Sequence, residues 1–443
     1  MAALDNDNNR ESIMIAKQRG MLMSGICLTP LSALLLSLAS TSLMAEALTP
    51  EDAIKLNLQV WNLSVKNLNT GPQPYRYGNS GNVFAGAEVD MAKSAGIEGA
   101  SVSFQYVFFP WMRGEGQPAQ DSWQGKAGSF FAGAPMHNDI DSGYLARFTW
   151  NQRLLDDRLE LVAGRSNAKQ HFYMSNCNNV VTCNDPVIDN STGILPFPYG
   201  SWSFYSRYRA DQGRYVHAGV FESNPQHYFK DTKGFDWDPG DASGVSILAG
   251  WGGEQGFDQT PYAYHYEFNG FYNSGEQTNP LDGKSRRGSS GLLFKFRQTL
   301  AREGDARVPE KAWQWFGSWS WSADDMQPFE HFAEVGITRL GPFDRPQDSI
   351  NLKASYLLLG AHQAKWQEQA RLLATGEDER TRRGVSRIEL NTHWQVTRNL
   401  ALEPSVQYVF NPDNFYNPQA PVSGNGAVIA LEVMYDLGTA LGL

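Results

Sequence analysis

The chain has 443 residues, of which 41% are hydrophobic, 12% aromatic and 19% charged, with a formal net charge of −10. The acidic surplus leaves no electrostatic footprint for nucleic acid. Mean hydropathy is −0.43, and no apolar run after residue 47 approaches the ~18 residues a spanning helix needs, so an integral membrane protein of this sequence has to be a closed β-barrel.

At the N-terminus, Lys17 and Arg19 precede an apolar stretch from Met21 to Leu38 that ends in small residues. This pattern predicts a secretory signal peptide cleaved after Ala45, or after Ala47 using the triplet Ala45-Glu46-Ala47. Because signal peptides start close to their positive charges, Met14 is the expected initiator and the polar residues before it an extension. Ile26 is too large to precede a lipidated cysteine, which argues against Cys27 as a lipid anchor. Residues 1–47 are therefore read as extension and leader, and 48–443 as a single transmembrane barrel domain.

Beyond the leader, apolar and polar residues alternate in runs of about ten, the length of a tilted strand crossing the apolar layer. The segments are 57–66, 82–92, 99–109, 126–133, 143–151, 157–165, 201–209, 214–222, 244–252, 263–273, 290–300, 312–322, 330–340, 349–359, 384–396, 399–410 and 425–435. Their number is odd, whereas single-chain bacterial barrels have an even strand count and short turns at every second connection. The tight links at Thr397-Arg398, Ala210 to Gly213, Gln152 to Asp156 and Lys93 to Glu98 share one parity only if 126–133, short and rich in Gly and Ala, is not a strand. What remains is an all-β, closed antiparallel barrel of about sixteen strands. Segments 67–81, 110–142, 166–200, 223–243, 274–289, 360–383 and 412–424 become long outer loops.

Loop 110–142 combines Trp111, Arg113, Glu115, Asp121 and Trp123. Folded inward, it would form a constriction whose aromatic faces and charges suit a pyranose ring; the alternative is an exposed loop with ordinary surface aromatics. Loop 166–200 holds Cys177 and Cys183, five apart in intervening residues. In an exported chain such a pair predicts a local disulfide. A zinc site competes poorly, since His171 is the one nearby imidazole. Loop 360–383 looks locally helical, and its charge run from Glu377 to Arg383 reads as a solvated face.

The strand Val385–Val396 places Ile388, Leu390, Trp394 and Val396 on one face and Arg387, Glu389, Asn391, His393 and Gln395 on the other. Extended to the other strands, the same parity turns Glu88, Asp90, Arg147, Thr149, Arg207, Arg209, His217, His265, Glu267, Asn269, Lys295, Arg297, Glu334, Asn351, Lys353, Glu403 and Gln407 inward. Barrels of this size enclose a lumen, and this one has walls of both charge signs. Mixed charge offers donors and acceptors to a neutral polyol more readily than to an ion of one sign.

Gly341-Pro342-Phe343-Asp344-Arg345-Pro346-Gln347-Asp348, Leu402-Glu403-Pro404-Ser405-Val406-Gln407-Tyr408-Val409-Phe410-Asn411-Pro412, and Val162-Ala163-Gly164-Arg165 followed by the cysteine pair carry a family resemblance. The chain resembles the carbohydrate-selective outer-membrane porins of the OprB family from about residue 80 onward. Weaker echoes occur at Gly219 to Pro225 and at Lys295 to Gln298. The resemblance implies a sixteen-stranded barrel, diffusion of monosaccharides such as glucose, and an eyelet of infolded loops lined with arginines and acids. Arg165 matches the family position most directly, yet it shares parity with Leu159, Leu161 and Ala163, so it sits above the membrane belt, follows a bulge or points outward. Two departures are the C-terminus Gly-Thr-Ala-Leu-Gly-Leu, which makes Tyr435 the expected last girdle aromatic, and the length of loop 360–383.

The expected function is passive diffusion of small carbohydrates across the outer membrane of a Gram-negative bacterium, with Arg147, Arg165, Arg207, Arg209, Glu267, Glu389, His393, Trp111 and Trp123 at the constriction. Four arginines on three consecutive strands support a rival cargo, a hydroxylated carboxylate such as quinate or gluconate. No nucleophile elbow, zinc helix motif or phosphate loop occurs in the mature chain, so no catalytic residues, metal or cofactor are expected. A secreted lectin would need shorter strands and a water-compatible outer face. Expected partners are sugar solutes, membrane lipid and lipopolysaccharide, and the barrel-assembly machinery, with the protein a monomer or homotrimer.

Overall fold

Alternation makes each strand two-faced, and closing the sheet gives the two faces different surroundings. The computed structural model describes residues 53–110, 122–130, 143–173, 185–194, 196, 198–211, 213–223, 232–238, 242–304 and 311–443, all within the unit Pro50–Leu443. Sixteen strands form one closed sheet: β1 Ile54–Asn67, β2 Tyr77–Asp90, β3 Ala100–Phe108, β4 Gly143–Leu154, β5 Leu159–Ser166, β6 Ser201–Arg209, β7 Arg214–Ser223, β8 Gly244–Gln255, β9 Tyr264–Thr278, β10 Ser285–Glu303, β11 Lys311–Ser322, β12 Phe329–Leu340, β13 Ser349–Leu359, β14 Gly384–Thr397, β15 Leu400–Phe410 and β16 Gly426–Asp436. Each strand pairs antiparallel with its sequence neighbours, and β1 closes on β16 with Val60 opposite Tyr435. Short helices decorate the barrel: α1 Met91–Ala95, α2 Trp123–Ala127, α3 Pro186–Ser191, α4 Ala361–Thr375 and α5 Leu437–Leu441.

Exposure is inverted relative to a water-soluble sheet. On β14, Ile388, Leu390 and Trp394 are 48%, 49% and 45% exposed, whereas Arg387, Glu389 and Asn391 are at most 2% exposed. The apolar outer band includes Phe204, Trp251, Trp313, Trp315, Trp319, Leu352 and Val406. Among the described residues no helix is long and apolar enough to cross a membrane; the strands cross it. Connections 155–158, 210–213, 341–348 and 398–399 share one end with 91–99 and 256–263, and the long loops share the other, which makes the first end periplasmic.

The excluded segment 126–133 is not a strand where the structure describes it. Ser122 caps α2, its Oγ accepting from Gly125 N at 3.0 Å. Gly128 ends the helix at φ +68°, and a Cβ there would lie 2.8 Å from Gly71 Cα. Residues 131–133 fall outside the described part. One expectation fails: 274–289 is not a long loop, because β9 and β10 continue as a hairpin around 279–284, where Asn279 and Lys284 close the turn by a 2.8 Å backbone bond. The sequence loses its apolar face there, but a ladder needs only backbone partners and continues into water. Loop 360–383 is helical as expected, through α4, and Arg371 on it is buried, donating to the carbonyls of Ala420 and Glu379.

The Gly341 to Asp348 motif is a periplasmic turn. Arg345 pairs with Asp348 and donates to Gln395 O at 2.9 Å, while Asp348 Oδ1 accepts from Gln395 N at 2.9 Å. These bonds tie the turn to the lower end of β14.

Placing a cation on the lipid face tests the orientation of β14. Leu390→Arg is expected to lower barrel stability by about 2–4 kcal/mol, measured by denaturant titration of protein folded into lipid vesicles.

Candidate functional site

Two outer loops enter the barrel. In loop 109–142, α2 packs against inward residues of β1 and β16: Trp123 and Ala127 contact Leu63, Val65, Val428 and Ala430. Asp413, from loop 411–425, fastens this insertion. Its carboxylate accepts from Ser129 Oγ at 2.9 Å, from Phe130 N at 3.0 Å and from Phe415 N at 2.9 Å. Burial pushes this carboxyl up to about 6.

Loop 167–200 enters through two segments. Phe172 sits among Val162, Tyr205, Phe221, Leu248 and Phe271, and burial, aided by Arg147 and Arg207, holds His171 down near 3, so it is neutral. Further along, Asp185 caps α3 and accepts from Ser320 Oγ on β11 at 2.6 Å, while Ser289 and Ser246 donate to the carbonyls of Ser191 and Thr192. A hydrogen-bonded chain runs along the wall below: Tyr205 Oη to His217 Nδ1 at 3.1 Å, His217 Nε2 to Asn269 Oδ1 at 2.8 Å, Asn269 Nδ2 to Glu267 Oε1 at 2.7 Å, Tyr215 Oη to Glu267 Oε2 at 2.7 Å. Glu267 also accepts from Tyr173 N at 2.9 Å, so it holds the descending loop segment to β9.

Charges on the opposite wall neutralise one another. Lys353 Nζ lies 3.2 Å from Glu334 and 3.6 Å from Glu389, and Arg387 lies 3.6 and 3.7 Å from the same two acids. All four are almost fully buried. His393 Nδ1 bonds Glu403 Oε1 at 2.7 Å, two residues lower on β14 than Asn391.

Among the described residues, one accessible polar surface lies beside β1 to β5, in a cavity of about 510 Å³ lined in part by Lys55, Glu88, Asp90, Arg147, Asn151 and Glu160. Arg147 donates to Thr149 Oγ1 at 3.1 Å and Asn151 Oδ1 at 3.0 Å. Arg207 donates to Glu160 at 3.0 Å, stands 3.7 Å from Glu254, and covers the Tyr215 ring at 5.3 Å. Arg209 also lies 3.7 Å from Glu254.

Several expected site residues are placed elsewhere. Arg165 is not in the lumen. It pairs across β5 with Phe148 and Trp202, both on the outer face, and is wholly buried beneath residues 232–238. Its guanidinium donates to Gly200 O at 2.9 Å and to Asp236 O. Trp237 packs on Phe148 and Trp202, Phe235 on Tyr106, and Lys233 O accepts from Leu145 N at 2.9 Å. Gly164 has φ +135°, and a Cβ there would meet Phe148 O at 2.3 Å, so Gly164-Arg165 serves wall geometry. Trp123 is 5% exposed and anchors α2, presenting no open face to a solute. Glu389 is closed off within the charged quartet. Arg147, Arg207, Arg209, Glu267 and His393 do face inward. Trp111, Arg113, Glu115, Asp121, Cys177 and Cys183 lie outside the described residues. Lys55, Glu160 and Glu254 were not singled out in the sequence; parity marks Glu160 inward, but Glu254 lies beyond the apolar run of its strand.

A closed sixteen-stranded barrel with an apolar belt, a polar lumen and loops folded into that lumen is an outer-membrane porin, a channel and not an enzyme. The profile described as "Carbohydrate-selective porin, OprB family" matches residues 76–437. The chain belongs to the OprB family of carbohydrate-selective porins. The high-pH structure of Pseudomonas putida OprB is similar at TM-score 0.73 and 17% identity, covering 90% of this chain and 96% of that one. Its low-pH structure gives TM-score 0.51 and 14% identity over 90% and 96%. An anion-selective porin from Comamonas acidovorans gives TM-score 0.48 and 11% identity over 86% and 98%. No curated protein sequence matches.

The geometry yields two expectations. Glu267→Ala frees the Tyr173 segment, so the disaccharide to monosaccharide flux ratio in liposome swelling should rise severalfold while heat-modifiable gel migration is retained; an unchanged ratio would remove Glu267 from loop positioning. Asp413 has a folded value near 6 against an ordinary 3.8, so the native state holds the proton more tightly. Docking of 128–130 onto 411–417 therefore loses stability as pH rises from about 3.8 to about 6 and is constant above. Hydrogen exchange at the Phe130 and Phe415 amides should show this trend, and Asp413→Ala should abolish it.

Proposed function

We propose that the channel passes small neutral carbohydrates, glucose-like monosaccharides foremost, by passive diffusion selected in a charge-balanced lumen. The observation that carries this reading is the pairing of lumen arginines with acids: Arg207 with Glu160 and Glu254, Arg209 with Glu254, Arg387 with Glu334 and Glu389. All these pairs cancel the field that would concentrate an anion, and the exposed ones, Arg207, Arg209 and Glu254, retain donors and acceptors for hydroxyls. The quinate or gluconate reading drew on four neighbouring arginines, and it loses Arg165 to the outer wall and the charge of Arg207 and Arg209 to acids. Arg147 is the residue we assign to the solute path, since it lines the cavity beside β1 to β5.

The same reading takes residues 1–47 as an extension and export leader, with Cys177 and Cys183 bridged, and assembly into a lipopolysaccharide-bearing membrane by the barrel-assembly machinery.

Liposome swelling with glucose, a disaccharide and quinate at matched osmolarity tests the selectivity. Glucose should be fastest; faster quinate would replace the sugar reading with the anion reading, and equal rates for glucose and an unrelated neutral solute of its size would leave a general pore. Arg147→Ala should change the glucose to quinate ratio with heat-modifiable migration intact, and an unaltered ratio would remove Arg147 from the path.

A further inference from the structure

We propose that the periplasmic mouth carries a second carbohydrate station, framed by Arg209, Glu254 and His265, where a sugar pauses before release. The proposal rests on the reading of the lumen as a path for neutral sugars. It concerns a cavity of about 650 Å³ between the turns 210–213 and 256–263, lined also by Gln255 and Gln259. That volume is within the range of small-molecule sites.

Glu254 pairs electrostatically with its cationic neighbours while leaving hydrogen-bonding capacity open. Glu254 Oε1 stands 3.7 Å from Arg209 and 3.7 Å from Arg207, and Oε2 stands 3.8 Å from His265 Nε2. These separations exceed a hydrogen bond. A vicinal diol can bridge Arg209 and Glu254 from their open side: one hydroxyl accepts from the guanidinium while its neighbour donates to the carboxylate, adding two charge-assisted bonds. Side chains of Arg209 and Glu254 are each 39% exposed, so a solute reaches them without moving the wall.

His265 supplies the flat partner. Tyr173 stacks on its ring at 3.8 Å with 12° between planes, and Tyr215 Oη bonds Nε2 at 3.0 Å. Tyr215 is itself held by Glu267 at 2.7 Å. The imidazole is thus fixed, and its side chain remains 28% exposed. Arg207 and Arg209 balance Glu160 and Glu254, which suits a neutral polyol and gives an anion no net attraction.

The test uses the full chain in oriented planar bilayers, reading ion-current block by glucose added from the periplasmic side, beside liposome swelling with glucose. Heat-modifiable migration confirms folding of each variant. Wild type should show saturable block, and Glu254→Gln and Arg209→Gln should each raise the half-blocking concentration tenfold or more, with His265→Ala giving a smaller rise. Glucose flux with a block that neither charge variant shifts would overturn the station and leave the sugar reading standing. Absence of both flux and block in wild type would overturn the two together.

Discussion

Hydrocarbon supplies no hydrogen bonds, so every peptide group inside it must find a partner on the chain itself. The barrel satisfies this by closing β1 on β16, and the rest of the molecule follows. Closure removes edge strands, and a sheet with no edges separates an outside that must be apolar from an inside that need not be. The polar residues of β12 to β15 are then buried, and burial without partners is costly. The Lys353, Glu334, Arg387 and Glu389 quartet answers that requirement by supplying opposite charges from adjacent strands.

Loops complete what the wall begins. A barrel of this size leaves a wide lumen, so its free bore depends on segments that fold inward and on what holds them there. Here the holding groups differ in kind. Residues 122–130 are fixed by apolar contact through Trp123 and by the buried carboxylate of Asp413, whereas the described parts of 167–200 are held by one wall carboxylate, Glu267, and by wall serines that reach their backbone. The accessible charges lie lower, where Arg147, Arg207 and Arg209 meet Glu88, Glu160 and Glu254.

Most of the wall was legible because its period is two and one face must be apolar. Ile388 and Leu390 against Arg387 and Glu389 gave the orientation of β14, and turn parity eliminated 126–133 as a strand. The hairpin at 274–289 was illegible because pairing above the membrane needs no apolar face. Loop contacts were illegible too, since nothing near Asp413 in sequence indicates Phe130. Arg165 shows how a family pattern and local parity can diverge. The pattern suggested an eyelet arginine, while its kinship with Leu159, Leu161 and Ala163 suggested the outside, and the outside is where it lies. The register shift between Gln105 and Tyr106 opposite Arg147 and Leu145 is equally silent in the sequence, because a bulge leaves no compositional mark.

The covered guanidinium of Arg165 has a consequence for how the protein is built. A bare cation on the hydrocarbon side of a strand is costly, and its carbonyl partners, Gly200 and Asp236, come from outside β5. At Arg165 the outer face of β5 therefore meets chain in place of lipid. The wall is thus two layers thick at this place, with residues 232–238 laid over the outer ends of β4 to β6.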